Sequence, residues 1–261
     1  MNIDTVLPRA TQARDRMRFR ARFAETGADV ASCQALRGQL FRRQALPDRD
    51  AFDGICEHLL IERVCDGALV ATCRVLRMEA GRDIHRSYSA QFYDLARLAQ
   101  YQGRLGEVGR FCIAPGQEDA DILRIAWAAL ARWVDTHGIE ALYGCSSFEG
   151  VDPSVYEDCF GLLSARHLAP PDLAPKQKAT AVWPYARLAE PSFDRLNAMR
   201  RMPPLLRSYL TMGGWVSDHA VIDRELGTLH VFTGLEIARI PPARARALRS
   251  VAAMLNEQAL T

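Results

Sequence analysis

The segment 105–147 constrains the fold more than any other part of the sequence. Residues 105–113 (LGEVGRFCI) predict a strand, residues 121–136 carry apolar side chains at helical spacing, and residues 139–147 predict a second, apolar strand. Two consecutive strands that are joined by such a helix usually lie parallel in one sheet, with the helix crossing over one face. We therefore expect an α/β protein with a mixed sheet.

Further elements extend this core on both sides. Strands are predicted at 17–24, 59–65, 68–78, 215–222 and 229–235, and helices at 26–41, 94–100 and after Pro241. Asp66-Gly67, between two of these strands, is a strong signal for a two-residue hairpin. We expect one domain over 17–240, a basic N-terminal extension over 1–16 and a C-terminal helical extension over 241–261.

Composition excludes several classes of protein. Of 261 residues, 49% are hydrophobic, which suffices for a large core, and no run approaches the ~18 apolar residues that span a bilayer. The first residues have no apolar signal region, so we expect a cytoplasmic protein. The net charge of +2 argues against nucleic acid. Seven cysteines without a CxxC pair, most of them inside apolar stretches, predict buried free thiols. Six histidines without HxH or HxxxH spacing argue against a metal site.

Nearly all positive charge comes from arginine, and two groups of arginines lie near the ends of the chain. The two groups are Arg14, Arg16, Arg18, Arg20 and Arg22, and Arg239, Arg244, Arg246 and Arg249. They are interpreted either as solvated basic surfaces or as docking surfaces for an acidic partner or an anionic membrane.

The strand 105–113 contains two charged residues, Glu107 and Arg110. Buried charges are costly unless they are paired or functional. In a regular strand these two side chains would point to opposite faces, whereas a bulge at Val108-Gly109 would bring them to one face. A structural salt bridge is the alternative interpretation.

Three other residues suggest that this charge belongs to a polar pocket. Arg74 lies inside the predicted strand 68–78, and Asp53 and His58 lie just before the strand 59–65. Each alone is compatible with a surface charge or a satisfied polar side chain. Together they indicate a polar site within an apolar sheet.

The chain resembles the ornithine–acyl carrier protein N-acyltransferases, or lyso-ornithine lipid synthases, which are GCN5-related acyltransferases close to the acyl-homoserine lactone synthases. The resemblance covers about 19–240 in the expected order and spacing. Its motifs are FDGICEHL (52–59), ATCRVL (71–76), YSAQFYDL (88–95), LGEVGRFCIAP (105–115), LYGCSSFEGVDP (142–153), HLAP (167–170) and PPLLRSYLTMGGWVSDHAVID (203–223).

The resemblance implies a GCN5-related N-acyltransferase fold over 17–240, with helices on both faces of a mixed sheet that splays open between strands 105–113 and 141–147. The donor, acyl-4'-phosphopantetheine on acyl carrier protein, would enter this wedge, and its fatty chain would lie between the sheet and the helices. Backbone N–H groups of Val108, Gly109 and Phe111 would hold the thioester carbonyl.

The implied reaction moves a (3-hydroxy)fatty acyl group to the α-amino group of L-ornithine. We expect Glu107 to act as the base, directly or through one water, and Arg110 to orient Glu107 or stabilise charge at the carbonyl. Arg74 would bind the acceptor carboxylate, Asp53 the side-chain ammonium, and His58 would belong to the substrate site. No GxSxG elbow is present, so direct attack in a ternary complex is expected.

Two departures from related proteins bear on the substrates. The loop 114–120 has one glycine, no arginine and two carboxylates, and this composition would repel a pyrophosphate. It favours carrier protein over coenzyme A as donor, with no cofactor bound to the enzyme itself. Arg42-Arg43 stands where the family would have an aromatic-rich acceptor segment, which leaves the acceptor less well defined.

Alternatives to the ornithine reaction remain open from the sequence. The same chemistry on another amino acid gives an N-acyl amino acid, and on S-adenosylmethionine it gives a lactone signal. A non-catalytic acyl-binding protein is a third interpretation. The amphiphilic product is compatible with peripheral contact at the inner face of the cytoplasmic membrane.

Overall fold

The computed structural model describes residues 18–41, 46–117, 119–188 and 193–258. The helices are α1 (Gly27–Phe41), α2 (Ala120–His137), α3 (Glu157–Arg166), α4 (Arg195–Arg201), α5 (Pro204–Thr211) and α6 (Pro242–Gln258). The strands are β1 (Phe19–Phe23), β2 (Glu57–Arg63), β3 (Leu69–Met78), β4 (Tyr93–Asp94), β5 (Leu105–Ile113), β6 (Ala141–Glu149), β7 (Lys176–Gln177), β8 (Val182–Pro184), β9 (Trp215–Val216), β10 (His219–Asp223) and β11 (Thr228–Glu236).

In the described part of the chain, most strands form one mixed sheet in the order β1-β2-β3-β5-β6-β11-β10-β8, with β9 added to β11. β5 and β6 are parallel, and the remaining pairs of this sheet are antiparallel. β4 and β7 pair separately. The prediction of a parallel β5–α2–β6 crossover in an α/β fold is therefore confirmed.

The predicted helices α1 and α2 are confirmed, and their ends have visible causes. At the start of α1, the Thr26 hydroxyl accepts from Asp29 N at 3.1 Å while the Asp29 carboxylate accepts from Thr26 N at 3.0 Å, which forms a reciprocal cap. Asp119 caps α2 by accepting from Asp121 N, and Gly138 ends it with a left-handed φ of 62°.

Two predicted elements differ from the structure. The strand expected at 215–222 is divided into β9 and β10, because the Ser217 hydroxyl donates to His219 O and accepts from Phe232 N where a regular ladder would continue. The helix expected at 94–100 is only a 3₁₀ turn at Leu98–Gln100. There the Asp94 carboxylate accepts from Ala96 N and forms a local turn that competes with a helix.

The C-terminal helix α6 packs on α2. Ala252 and Leu255 of α6 are buried in the same apolar cluster as the inner face of α2, and Arg249 pairs with Asp135 at 2.8 Å. The expected N-terminal extension, 1–16, lies outside the described residues. Within the described ranges, no helix combines the length and apolarity needed to cross a bilayer.

The cysteines of the chain are free thiols. Cys33, Cys73, Cys112 and Cys159 are buried, whereas Cys65 is exposed. Cys65 therefore departs from the general burial that the apolar surroundings of most cysteines suggested.

Candidate active site

The site begins where β5 and β6 part. Their parallel pairing runs from Leu105 opposite Ala141 to Glu107 opposite Tyr143, and the described residues of β5 beyond Glu107 have no partner on β6. At the point of parting, a Cβ on Gly144 would collide with the Val108 carbonyl oxygen, so only glycine permits this approach. The strands then separate and form an open wedge.

The wedge holds a cavity of about 260 Å³. Charged and polar side chains line one part of it, and apolar side chains from α2 and from the start of α5 line another. The lining residues used below are Arg74, Tyr88, Glu107, Val108, Gly109, Arg110, Phe111, Leu123, Cys145, Pro203, Leu205, Thr228 and His230.

A bulge in β5 aims residues into this cavity. Thr72 of β3 is opposite Cys112 and Arg74 is opposite Gly109, so two residues of β5 face the single residue Cys73. The bulge thus lies at Arg110-Phe111, not at Val108-Gly109 as the sequence analysis placed it. The left-handed conformation is taken by Arg110, with φ of 53°, and not by the glycine.

Glu107 and Arg110 consequently line the same cavity. A left-handed φ at a non-glycine residue costs free energy and persists only where the surroundings hold it in place. Here the Arg110 side chain is anchored, because its Nε lies 3.0 Å from Asp48 Oδ2 and its guanidinium lies over the Tyr88 ring at 4.7 Å from the centroid.

The Glu107 carboxylate is held by neutral donors. Oε2 accepts from Tyr88 N at 2.8 Å, and Oε1 accepts from Ser89 N at 2.8 Å and from Ser89 Oγ at 2.6 Å. Burial raises the pKa of Glu107 above its ordinary value, although these three hydrogen bonds act in the opposite direction. Within the described residues, no hydrogen bond joins Arg110 to Glu107, so Tyr88 and Ser89 orient the carboxylate.

A second set of charges lies beside Glu107 and consists of three arginines and three aspartates. This guanidinium–aspartate cluster is formed by Arg37, Arg74, Arg110, Asp48, Asp50 and Asp53. Arg37 is fully buried, and its Nη2 lies 2.8 Å from Asp53 while its Nε lies 3.2 Å from Asp48. Each buried charge is thus compensated within the cluster.

Arg74 connects the cluster to the cavity. Its Nη1 and Nη2 donate to Asp50 at 2.6 and 2.8 Å, and Nη1 also donates to Asp53 at 2.9 Å. Burial alone would raise the pKa of Asp50 and Asp53, but the neighbouring guanidinium groups lower both below their ordinary values. These two carboxylates are therefore ionised at neutral pH.

The structure brings together only part of the predicted site. Arg74, Glu107, Val108, Gly109, Arg110 and Phe111 line the cavity. Among the described lining residues, neither Asp53 nor His58 is present. The Asp53 carboxylate accepts from Gln34, Arg37 and Arg74, and His58 Nε2 lies 3.2 Å from the Asp53 carbonyl oxygen. Asp53 therefore belongs to the guanidinium–aspartate cluster and His58 to its surroundings, rather than to the lining of the cavity.

The loop before α2 is also closed by contacts within the chain. The Asp119 carboxylate accepts from Asp121 N, and Asp119 and Asp121 both pair with Arg18, at 2.7 and 3.2 Å. Two carboxylates therefore occupy the positive end of α2, where an anionic ligand would otherwise bind.

The arginines near the two ends are largely paired in the structure. The ion pairs are Arg18–Asp119 (2.7 Å), Arg20–Glu62 (2.8 Å), Arg22–Asp29 (2.6 Å), Arg239–Glu236 (2.8 Å) and Arg249–Asp135 (2.8 Å). Arg14 and Arg16 lie outside the described residues. These pairs leave less free positive charge for an acidic partner than the sequence suggests.

The chain is similar to a known family and to solved structures. Residues 32–128 match the family described as acetyltransferase (GNAT) domain. The N-acyl amino acid synthase FeeM from uncultured soil microbes has a TM-score of 0.45 and 10% identity, over 91% of this chain and 98% of that one.

Sequence relatives are closer. An L-ornithine Nα-acyltransferase of Rhodobacter capsulatus is 31% identical over 233 residues, which cover 82% of this chain and 88% of that protein. An L-ornithine Nα-acyltransferase of Brucella abortus is 32% identical over 241 residues, which cover 88% of this chain and 82% of that protein. The chain, with its mixed sheet and splayed β5–β6 pair, belongs to the L-ornithine Nα-acyltransferase family of GCN5-related acyltransferases.

Proposed function

We propose that this protein transfers a (3-hydroxy)fatty acyl group from acyl carrier protein to the α-amino group of L-ornithine, which gives lyso-ornithine lipid. Family membership supports the acceptor, since the relatives are named for it. The single observation that carries the chemistry is that Glu107 and Arg110 line one cavity at the parting of β5 and β6.

The reaction is direct aminolysis of a thioester. The free amine attacks the carbonyl carbon, the carbonyl oxygen becomes an oxyanion, and collapse forms the amide and expels the pantetheine thiolate, which takes up a proton. The unpaired edge of β5 beyond Glu107 supports a role for the backbone N–H groups of Val108, Gly109 and Phe111 in holding the oxyanion.

Glu107 is the proposed base. A protonated amine cannot attack, and a carboxylate whose pKa is raised by burial removes a proton more readily than an ordinary surface carboxylate. Its Oε2 accepts only one hydrogen bond within the described residues, from Tyr88 N, so that oxygen has a lone pair for the amine or an intervening water.

A covalent acyl-enzyme is not required by this scheme. Cys145 lines the cavity, but burial raises the pKa of its thiol to about 12, so it is protonated at neutral pH and is a poor nucleophile. Holding donor and acceptor together in the wedge supplies the proximity that direct attack needs.

Arg74 and Arg110 are the proposed partners of the acceptor carboxylate. Both guanidinium groups line the cavity, and both share the Asp50 carboxylate, whose side chain is 21% exposed and is the most accessible of the cluster's aspartates among those described. A substrate carboxylate that enters from the cavity would replace Asp50 as the partner of some of these guanidinium N–H groups.

Carrier protein is the proposed donor because the positive end of α2 is already occupied. A coenzyme A pyrophosphate would meet the Asp119 and Asp121 carboxylates there, whereas phosphopantetheine on a carrier protein does not carry that group to the same place. The apolar side chains of Leu123, Pro203 and Leu205 form the proposed entrance for the acyl chain.

The test is incubation of the purified protein with 3-hydroxyacyl carrier protein and a panel of amines, with products identified by mass spectrometry. The panel contains L-ornithine, L-lysine, glycine, L-glutamine and S-adenosylmethionine, and a parallel series uses the coenzyme A thioester. We expect N-acylornithine with the carrier-protein donor. Absence of any acylated amine would overturn the enzymatic proposal, and faster turnover with the coenzyme A thioester would overturn the donor.

A further inference from the structure

One wall of the cavity carries polar atoms that the proposed mechanism does not use. It is formed by β11, where Thr228 and His230 are two residues apart and therefore face the same side of the sheet. His230 is 2% exposed and pairs with Ser147 in the β6–β11 ladder. Both Thr228 and His230 line the cavity.

The hydrogen bonds of His230 leave one ring nitrogen free as an acceptor. The Tyr93 hydroxyl donates its hydrogen to the His230 carbonyl oxygen at 2.9 Å, so it can only accept from His230 Nδ1, 3.2 Å away. Nδ1 then carries the ring hydrogen and Nε2 carries the lone pair. Among the described residues, Nε2 has no hydrogen-bond partner although it is buried.

Thr228 provides a second unused atom. Its Oγ1 is buried and has no hydrogen-bond partner within the described ranges. Buried polar atoms are normally hydrogen-bonded, so each of these two atoms lacks a partner that a ligand could supply. Because both residues line the cavity, a ligand bound there is the nearest source of such a partner.

The charges around this wall favour a cation. Asp223 is opposite Thr228 in the β10–β11 ladder, and its carboxylate acts electrostatically on His230, Tyr88 and Cys145. Burial lowers the pKa of His230 to about 4, with Asp223 and Arg110 acting in opposite directions, so the imidazole is neutral at pH 7. The negative charge of Asp223 and an imidazole nitrogen that cannot donate both disfavour an anion at this wall.

We infer that His230 Nε2 and Thr228 Oγ1 form a subsite for the side-chain ammonium of the acceptor amino acid. This inference rests on the proposed function and names the group that distinguishes ornithine from amino acids with uncharged side chains. The cavity then has a guanidinium end for the carboxylate, at Arg74 and Arg110, and an acceptor end for the ammonium. Asp53, which the sequence suggested for the ammonium, is enclosed by Arg37, Arg74 and Gln34.

The discriminating substrate is L-norvaline, which has the carbon chain of ornithine without the δ-amino group. We compare the ratio of kcat/KM for ornithine to kcat/KM for norvaline in the wild type, in Thr228→Val and in His230→Phe. Each variant removes one acceptor and keeps a similar shape. The ratio is expected to fall about 10-fold or more in each, as for a lost hydrogen bond to a charged group. Thr228→Ser, which keeps the hydroxyl, is the matched control and should retain the ratio.

An unchanged ratio in both folded variants would overturn the inference. If the ratio is unchanged and the variants instead lose a preference for 3-hydroxyacyl over unsubstituted donors, the subsite belongs to the acyl chain. That result would also overturn the inference. Calorimetric titration of the wild type with the two amino acids needs no variant, and equal affinities would overturn the inference as well. A wild type that acylates other amines but not ornithine would instead overturn the proposed function.

Discussion

The guanidinium–aspartate cluster and the Glu107 carboxylate bury charge at the same cavity in different ways. In the cluster, each aspartate faces at least one guanidinium at 2.6–3.5 Å, and the pKa values of Asp50 and Asp53 are lowered. Glu107 faces two backbone N–H groups and one hydroxyl, and its pKa is raised by burial.

The difference separates two tasks. Carboxylates paired with arginine keep their negative charge over the whole neutral range and serve to fix side chains in place. A carboxylate that is buried among neutral donors changes its protonation state more readily, which suits a proton acceptor. The two regions share Tyr88, whose backbone N–H holds Glu107 and whose ring lies under Arg110.

The largest expected effect comes from Glu107→Gln. The amide cannot take a proton from the amine, so turnover should fall about 10²- to 10⁴-fold at pH 7. Glu79→Gln, at an exposed glutamate paired with Arg77 and Arg104, is the control and should leave turnover unchanged. Steady-state release of free carrier-protein thiol measures both. Turnover of Glu107→Gln at the wild-type level would show that the contrast between the two regions has no catalytic meaning.

Arg37→Met should disrupt the guanidinium–aspartate cluster and lower the stability of the fold, rather than remove the proposed base. It leaves Asp48 and Asp53 without one buried partner, so the free energy of unfolding should fall by about 3–5 kcal/mol. The folded pKa of Asp53 is lowered, so the stabilisation is present above pH 3.8 and is lost as pH falls through the folded pKa. Urea unfolding should therefore show a deficit at pH 7 that shrinks near pH 3. A deficit that is independent of pH would contradict the electrostatic explanation.

Ser89→Ala should increase the difference between the raised pKa of Glu107 and the lowered pKa values of the cluster's aspartates. The hydroxyl donates to Glu107 Oε1 at 2.6 Å, and its loss removes a hydrogen bond that favours the ionised form. The pKa of Glu107 should rise further, since the lost hydrogen bond opposed the effect of burial. The acid limb of kcat/KM measures the shift, and Ser154→Ala, at an exposed serine on the surface, is the control. A limb that stays in place in Ser89→Ala would mean that this serine does not set the protonation of Glu107.

The smallest expected effect is that of Arg249→Met, the same substitution as Arg37→Met at an exposed ion pair. Its partner Asp135 remains solvated, so the free energy of unfolding should change by no more than about 1 kcal/mol. A loss as large as that of Arg37→Met, measured by the same urea unfolding, would show that burial is not what distinguishes the cluster.

The sequence predicted the framework of the site better than its contacts. β5 has the predicted bounds, because an apolar segment that contains two isolated charges is a strong local signal. The same two charges directed attention to Glu107 and Arg110, which line the cavity. The position of the bulge was missed, since the glycine in the strand attracted the prediction while the left-handed residue is Arg110.

Other parts of the site have no local signal. Tyr88 and Ser89 hold Glu107 mainly through backbone N–H groups, which any residue type supplies. Asp48 and Asp50 lie in a polar stretch that is typical of an exposed loop, and an arginine in a helix, such as Arg37, usually points to solvent. These roles depend on long-range packing of α1 and the loop before β2 against β3 and β5.

The pH dependence of kcat/KM for wild type and Glu107→Gln tests the central claim most directly. Because Glu107 takes the proton from the bound ammonium, the wild type can use the protonated amine, and its log kcat/KM should be flat between the pKa of Glu107 and that of the amine. It should fall with a slope of one only below the pKa of Glu107, at a pH above the ordinary value of 4.5. Glu107→Gln can use only amine that is already neutral, so its log kcat/KM should fall with a slope of one from the pKa of the amine downwards. A wild-type profile that superimposes on that of Glu107→Gln across the neutral range would contradict the account.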